Sequence, residues 1–296
     1  MTGTRQRASI LGFGALALAS CSDAPDDPQP LPDPPVYEIV GADGAVEGWM
    51  LGTIHALPKG TGWRNPAIDK AIADADYLIV EIADLEDREA MAKAFSDLAS
   101  TPGQPAIANR VGPEWRPALA DAIARSDYSP DDFGSTETWA AALMLARVAA
   151  TGDPASGVDR AIIREFSDRE VREFEGAIDQ LRVFDTLKEE DQQDLLEGVL
   201  AEIETSREEP GRLREAWLAG DEATLEEATR TGMMADPEIY EALLVQRNTR
   251  WLDMLVAQLE DAPRPLVAVG AGHLVGPDSL GAMLEERGYT VTRLGR

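Results

Sequence analysis

The chain is 296 residues long, 44% hydrophobic, and carries 54 acidic against 27 basic side chains for a net charge of −27. That length suffices for one large domain or two small ones with a sizeable core. The acid excess argues against nucleic acid as a partner, because neutralising phosphates takes clustered Lys and Arg and the sequence has no such cluster; the acids read instead as a solvated, self-repelling surface.

Residues 1–20 have the layout of a secretory signal. Arg5 and Arg7 precede an apolar run from Ile10 to Ala19, too short to span a bilayer, and small residues lead to Cys21. "LASC", Leu18 to Cys21, resembles the bacterial lipobox, which implies cleavage before Cys21, the only cysteine, and a lipid on its sulfur. With Ser22 following, the expected location is the periplasmic face of a bacterial membrane, the outer membrane by analogy with lipoprotein sorting. Residues 21–35 form a tether with six prolines and four aspartates between Ser22 and Pro35, extended because proline removes backbone donors. The folded domain is then 36–296.

Val36 to Thr53 reads as two strands around a turn at Asp43-Gly44. Asn65–Ala75 is helical, Asp76–Ile82 a strand, and Asp84–Asp168 a long helical stretch. Arg169–Gly176 is a strand, Ala177 to about Asp261 is helical again, and Arg264–Gly270 and Tyr289–Leu294 complete the strands. The expected class is α/β: one mixed sheet built from the N- and C-terminal segments, with a large helical insertion in the middle. Strands that are nearly all apolar are covered on both faces. A separate helical domain over 85–168 is the alternative. "WAAALMLARVAA", Trp139 to Ala150, reads as a buried helix rather than a membrane or cofactor element.

The chain has two histidines, 218 positions apart, and both follow an apolar run and a Gly-x-x-His pattern: Gly52-Thr-Ile-His55 and Gly270-Ala-Gly-His273. In open α/β sheets ligands bind beyond the carboxyl ends of the strands. Those ends deliver His55, Glu81, Glu175 and His273. Two neutral imidazoles and one carboxylate make a divalent-metal shell with an open position for an acidified water. Gly52, Gly270 and Gly272 would let the backbone turn sharply and approach a ligand. Each residue also has a plainer reading: a structural histidine, a capping acid at Glu81, a loop acid at Glu175.

"GWMLGTIHALPKG", "IDKAIADADYLIVEI", "GVD" (Gly157 to Asp159), "EGAIDQL" (Glu175 to Leu181), "QRNTRWL" (Gln246 to Leu252) and "VAVGAGHLVGPDSLGAMLEERGYTV" together resemble the TraB/GumN family, related to the Tiki proteases, from about Trp49 to Leu294. The resemblance implies a Tiki/erythromycin-esterase-like α/β fold and metal-dependent peptidase activity. It points to His55, Glu81 and His273 as the ligands of one divalent ion (Mn, Co or Zn), and to Asp159, Glu175, Arg247 and Asn248 as further catalytic residues. Glu175 would then be the general base, and Arg247 would hold a substrate carboxylate or an oxyanion, unless an ion pair with one of the many acids occupies it. Two other readings stand beside this one. One is a non-catalytic haem- or ligand-binding lipoprotein with His55 or His273 on iron, for which 6% aromatic content is low. The other is a metal-free, esterase-like hydrolase with His55 as base. The expected partners are a peptide or protein substrate and, through Cys21, a membrane, with no obligate protein partner.

Overall fold

A computed structural model of the chain describes residues 31–85, 87–259 and 263–295. The signal segment, Cys21 and the tether as far as residue 30 lie outside the described residues. β1 (Val36–Val40) and β2 (Val46–Thr53) pair antiparallel. In the turn between them Gly44 takes a φ of +84° and Asp43 Oδ1 accepts from Ala45 N at 2.9 Å, as the Asp-Gly dipeptide foretells. β3 (Tyr77–Val80), β4 (Val171–Glu173), β5 (Pro265–Gly270) and β6 (Thr290–Leu294) complete a six-stranded sheet of order β4-β3-β5-β2-β1-β6. Four neighbours, β4, β3, β5 and β2, run parallel, so their carboxyl ends share one edge. β1 runs antiparallel between β2 and β6. The class is α/β with a mixed sheet, as expected. The edge strand β4 keeps only three residues of its predicted eight, having a partner on one side alone.

The helices begin, in chain order, with α1 (Pro66–Asp74), α2 (Arg88–Ala99), α3 (Arg116–Arg125), α4 (Thr138–Ala146), α5 (Val158–Glu165) and α6 (Ala177–Asp185). They are followed by α7 (Glu189–Glu208), α8 (Arg212–Ala219), α9 (Glu222–Ala228), α10 (Pro237–Tyr240), α11 (Gln246–Leu259) and α12 (Leu280–Glu286). Side chains alternate across the sheet. Trp49, Leu51, Leu78, Val80, Leu266 and Ala268 pack with α1, α5 and α8, whereas Met50, Tyr77, Ile79, Val267 and Val269 pack with α11 and α12. Both faces are therefore covered, which is why β3 and β5 are apolar throughout. Burying a side chain such as Leu255 or Leu284 contributes about 1.5–3 kcal/mol.

The helical insertion forms a second core, but not a separate domain over 85–168. Leu119, Phe133, Trp139 and Leu145 share that core with Leu195, Leu196, Val199 and Leu200 of α7. Trp139 is fully buried in it, edge-on to Phe95 at 5.5 Å and stacked with Phe184 at 6.3 Å. No helix among the described residues is long and apolar enough to cross a membrane.

Two local features position the site. A π turn over Glu241–Val245 joins α10 to α11, and the wider turn resets the helical register directly before Arg247 and Asn248, both of which are buried. Ahead of β1, Asp33 N donates to Leu218 O at 2.7 Å, Gly52 N donates to Pro35 O at 2.8 Å, and Arg293 pairs with Asp33 at 3.2 Å. The last residues of the proline-rich segment are thus bonded into the fold.

Candidate functional site

The shared edge of the parallel strands gathers the polar residues. β2 ends at Thr53, two residues before His55; β3 is followed by Glu81; β4 is followed by Glu175; and β5 runs into a 3-10 turn, Ala271–Leu274, that carries His273. Asp159 stands in the first turn of α5. Arg247 and Asn248 enter from α11. All seven expected residues lie at this edge, but their partners sort them into two groups.

The first group is a buried cluster around Arg247, which is 5% exposed. Its Nε lies 3.1 and 3.0 Å from the two oxygens of Glu175. Nη2 donates to Glu81 Oε2 at 2.7 Å and pairs with Glu175 Oε2 at 2.9 Å. Nη1 donates to Leu243 O and to His273 Nε2, both at 3.2 Å. A guanidinium has five N–H donors, and each has an acceptor here. Arg247 therefore serves as the counter-ion of two buried carboxylates and has no donor left for a substrate oxyanion. Glu175, expected as the base, is likewise engaged: Arg250 adds a contact at 3.4 Å, and the side chain is only 6% exposed. The guanidinium also lies over the Trp251 ring at 4.6 Å, and that ring touches His273 at 4.4 Å.

Asn248 sets the state of His273. Its Nδ2 donates to Asp278 O at 2.8 Å, so Oδ1 is the acceptor that faces His273 Nδ1 at 2.7 Å. Nδ1 must then carry the proton and Nε2 must accept from Arg247, which can only donate. Burial, helped by Arg247, holds the His273 pKa down to about 3, so the ring is neutral. For Glu81 burial works upward, but Arg247, His55 and the Gly270 N–H, joined by His273 once that ring is protonated, outweigh it and bring the carboxyl to about 2. Gly270 makes its close approach to this carboxylate rather than to a ligand. Its φ is an ordinary −49°, its N–H meets Glu81 Oε1 at 2.7 Å, and a Cβ would fall 3.3 Å from that oxygen.

Both groups destabilise the fold in acid. An unfolded histidine takes up its proton near pH 6.5, whereas folded His273 resists until about 3, so this contribution is complete above 6.5 and is lost as pH falls from 6.5 towards 3. The Glu81 contribution is present above about 4.5 and is lost towards pH 2. Acid also relieves the repulsion of a −27 chain, so the effect is read as a difference. Between pH 7 and 4, wild type should lose a few kcal/mol more than His273→Gln, because each tenfold difference in proton affinity between the folded and unfolded ring is worth about 1.4 kcal/mol. Thermal melts at both pH values check this, and identical pH slopes would count against it.

The second group lines a cleft of about 190 Å³, with His55, Glu81, Asp159 and Gln180 beside Val80, Ile82, Leu85 and Met91. His55 Nδ1 stands 2.9 Å from Asp159 Oδ2, and Thr53 Oγ1 donates to Asp159 Oδ1 at 2.5 Å. Asp159, by charge and by hydrogen bond, raises His55 towards about 9. With 76% of the imidazole side chain exposed, solvent screening works against that pull, and the direction rests on the geometry. Burial pushes Asp159 up, but His55 and Thr53 outweigh it and the net movement is downward. Gln180 Nε2 donates to Glu81 Oε2 at 3.3 Å. Thr53 and Gln180 do not stand out in the sequence. The signal for Thr53 is its place as the last strand residue before a Gly-x-x-His histidine, and Gln180 lies within the "EGAIDQL" stretch.

The expected three-ligand metal shell does not fit this arrangement. The single lone pair of His273 Nε2 already accepts from Arg247, and that permanent cation lies between His273 and Glu81. Among the described residues no group of three His, Cys, Asp or Glu side chains could hold a metal ion.

Comparison with curated proteins and with solved structures finds no match. Residues 36–293 do match the model of one protein family, a span that takes in every residue of both groups. On that match, which covers most of the chain and includes both Gly-x-x-His segments, the chain belongs to the TraB/PrgY/gumN family.

Proposed function

We propose that the protein is a hydrolase acting on peptide or ester carbonyls, in which the His55–Asp159 pair takes the proton of an attacking water. The observation that carries this reading is the anchoring of His55 Nδ1 by a carboxylate whose other oxygen is fixed by Thr53. A ring held in this way has one tautomer and raised basicity, with Nε2 as the open nitrogen of a cleft-lining side chain. Glu81 makes the cleft anionic and so favours a neutral or cationic substrate over an acidic one. The second N–H of the Gln180 amide is available to a substrate carbonyl oxygen, and Val80, Ile82, Leu85 and Met91 offer apolar contact to one side chain. The cleft lies below the roughly 300–1,000 Å³ of small-molecule pockets, which favours one residue of a larger substrate over an enclosed haem.

The test is hydrolysis of fluorescein-labelled casein and of p-nitrophenyl acetate by chelator-treated protein, with metal content measured on the same sample. Turnover of either probe at a metal content far below one ion per chain is the expected result. No turnover of either, with or without added Mn, Co or Zn, would sink the reading. Turnover only with added metal would favour a second reading, an ion held by His55 Nε2 and Glu81. The Nδ1–carboxylate anchor supports it, since metal-ligating imidazoles commonly have such a partner. Lipid at Cys21 would anchor this hydrolase on the periplasmic face of a bacterial membrane, and Cys21→Ser should move it to the soluble fraction; unchanged membrane association would refute the anchor.

A further inference from the structure

We propose that Gly157, in the "GVD" segment, is a positioning residue for His55: it seats the His55 main chain so that Asp159, two residues on, meets the imidazole. The proposal rests on the reading above that this pair is the working dyad.

Gly157 precedes α5 with φ −62° and ψ 149°, values open to any residue. Conformational freedom is therefore not what requires a glycine here. Space is: a Cβ on Gly157 would clash with the carbonyl oxygen of His55 and lie 2.7 Å from the carbonyl carbon. Both are main-chain atoms, so no side chain can rotate away to make room. Hydrogen bonds on either side hold the approach. Val158 N donates to Ile54 O at 2.9 Å, and Asp153 N donates to Leu57 O at 2.9 Å in a short antiparallel bridge between Leu57 and Asp153. The segment 153–158 thus runs along the segment that carries His55, and the helix it opens supplies the carboxylate.

The anchoring on the two sides is unequal. α5 is fixed in the core by Val158 and Ile162, 0% and 1% exposed; the facing segment is pinned by Leu57, 1% exposed, but the His55 side chain between Ile54 and Leu57 is 76% exposed. An added methyl group therefore displaces the histidine loop rather than the helix. A shift of about 0.7 Å would stretch the 2.9 Å contact to a separation that is no longer a hydrogen bond.

The experiment compares Gly157→Ala with Gly62→Ala, a glycine with nothing within 4 Å of its would-be Cβ, in the full chain. Histidine side chains are labelled with ¹⁵N, and the two rings are read separately. In wild type both rings should show a hydrogen-bonded Nδ1 proton. Gly157→Ala should lose this signature at His55 and keep it at His273, while kcat on p-nitrophenyl acetate falls at least about tenfold with KM within about twofold. Gly62→Ala should change none of these. A purely structural glycine would lower the melting temperature and leave the His55 signal in place, which would overturn the proposal. So would a Gly157→Ala chain that fails to fold, because a contact whose loss unfolds the chain is structural before it is positional. Absence of hydrolysis in wild type would count against the proposed activity and leave the ring signal as a sufficient test of the positioning claim.

Discussion

Arg247→Met is expected to destabilise the fold by about 3–5 kcal/mol, the range for removing one partner of a buried ion pair. The cost comes from what stays behind: Glu81 and Glu175, with side chains 10% and 6% exposed, lose their shared cation. Methionine keeps contact with Trp251 but replaces none of the five donors. Arg247→Lys should recover only part of the loss, because an ammonium has three donors and no planar fork to bridge two carboxylates. Removing the carboxylates as well, with Glu81→Gln and Glu175→Gln beside Arg247→Met, should be less damaging than Arg247→Met alone, since the uncompensated charge is gone. Urea denaturation checks the series. A loss under about 1 kcal/mol for Arg247→Met would contradict the counter-ion role and reopen a role in binding substrate. Glu175→Gln belongs to the same series and is expected to change stability without moving the pH dependence of the rate.

His55→Ala should lower hydrolysis by a factor on the order of 10²–10⁴, the usual scale for a general base. The pH profile separates this role from a structural one. A base must be deprotonated to act, and Asp159 raises the pKa of His55, so the wild-type rate should climb with pH through a limb well above 6.5. Asp159→Asn removes the charge and should move that limb down towards 6.5, while lowering the plateau because the ring is no longer held by a charged partner. The variant should then compare most poorly with wild type at high pH and better near pH 7. An unmoved limb would show that Asp159 does not act through His55.

The six strands, the Asp-Gly turn and the gathering of His55, Glu81, Glu175 and His273 at one edge are all legible in the sequence, because parallel strands end on the same side and apolar runs mark where they end. The pairings are not. Arg247 and Glu81 lie 166 positions apart and meet because the π turn over Glu241–Val245 re-aims the helix, and no residue pattern announces that turn. The helical stretch 85–168 can be read as a domain because its apolar residues do not reveal that their core is completed by Leu195, Leu196, Val199, Leu200 and Ile203 of α7. The twin Gly-x-x-His motifs mislead most. Equal sequence settings suggest equal surroundings, yet Trp251, Arg247 and Asn248 close over His273 while the His55 side chain stays exposed. What packs above a motif, rather than the motif itself, decides the state of its histidine.

That division between the two histidines is central to the proposed chemistry, and a chain with only two of them allows it to be read directly. The measurement is a pH titration of ¹⁵N-histidine-labelled protein by NMR, with Asp159→Asn used to assign His55. The expected result is one ring that titrates well above 6.5, towards about 9, and falls back in Asp159→Asn, and a second that stays neutral with its proton on Nδ1 to below pH 5. Two rings that both titrate near 6.5, or a His273 protonated on Nε2, would contradict it.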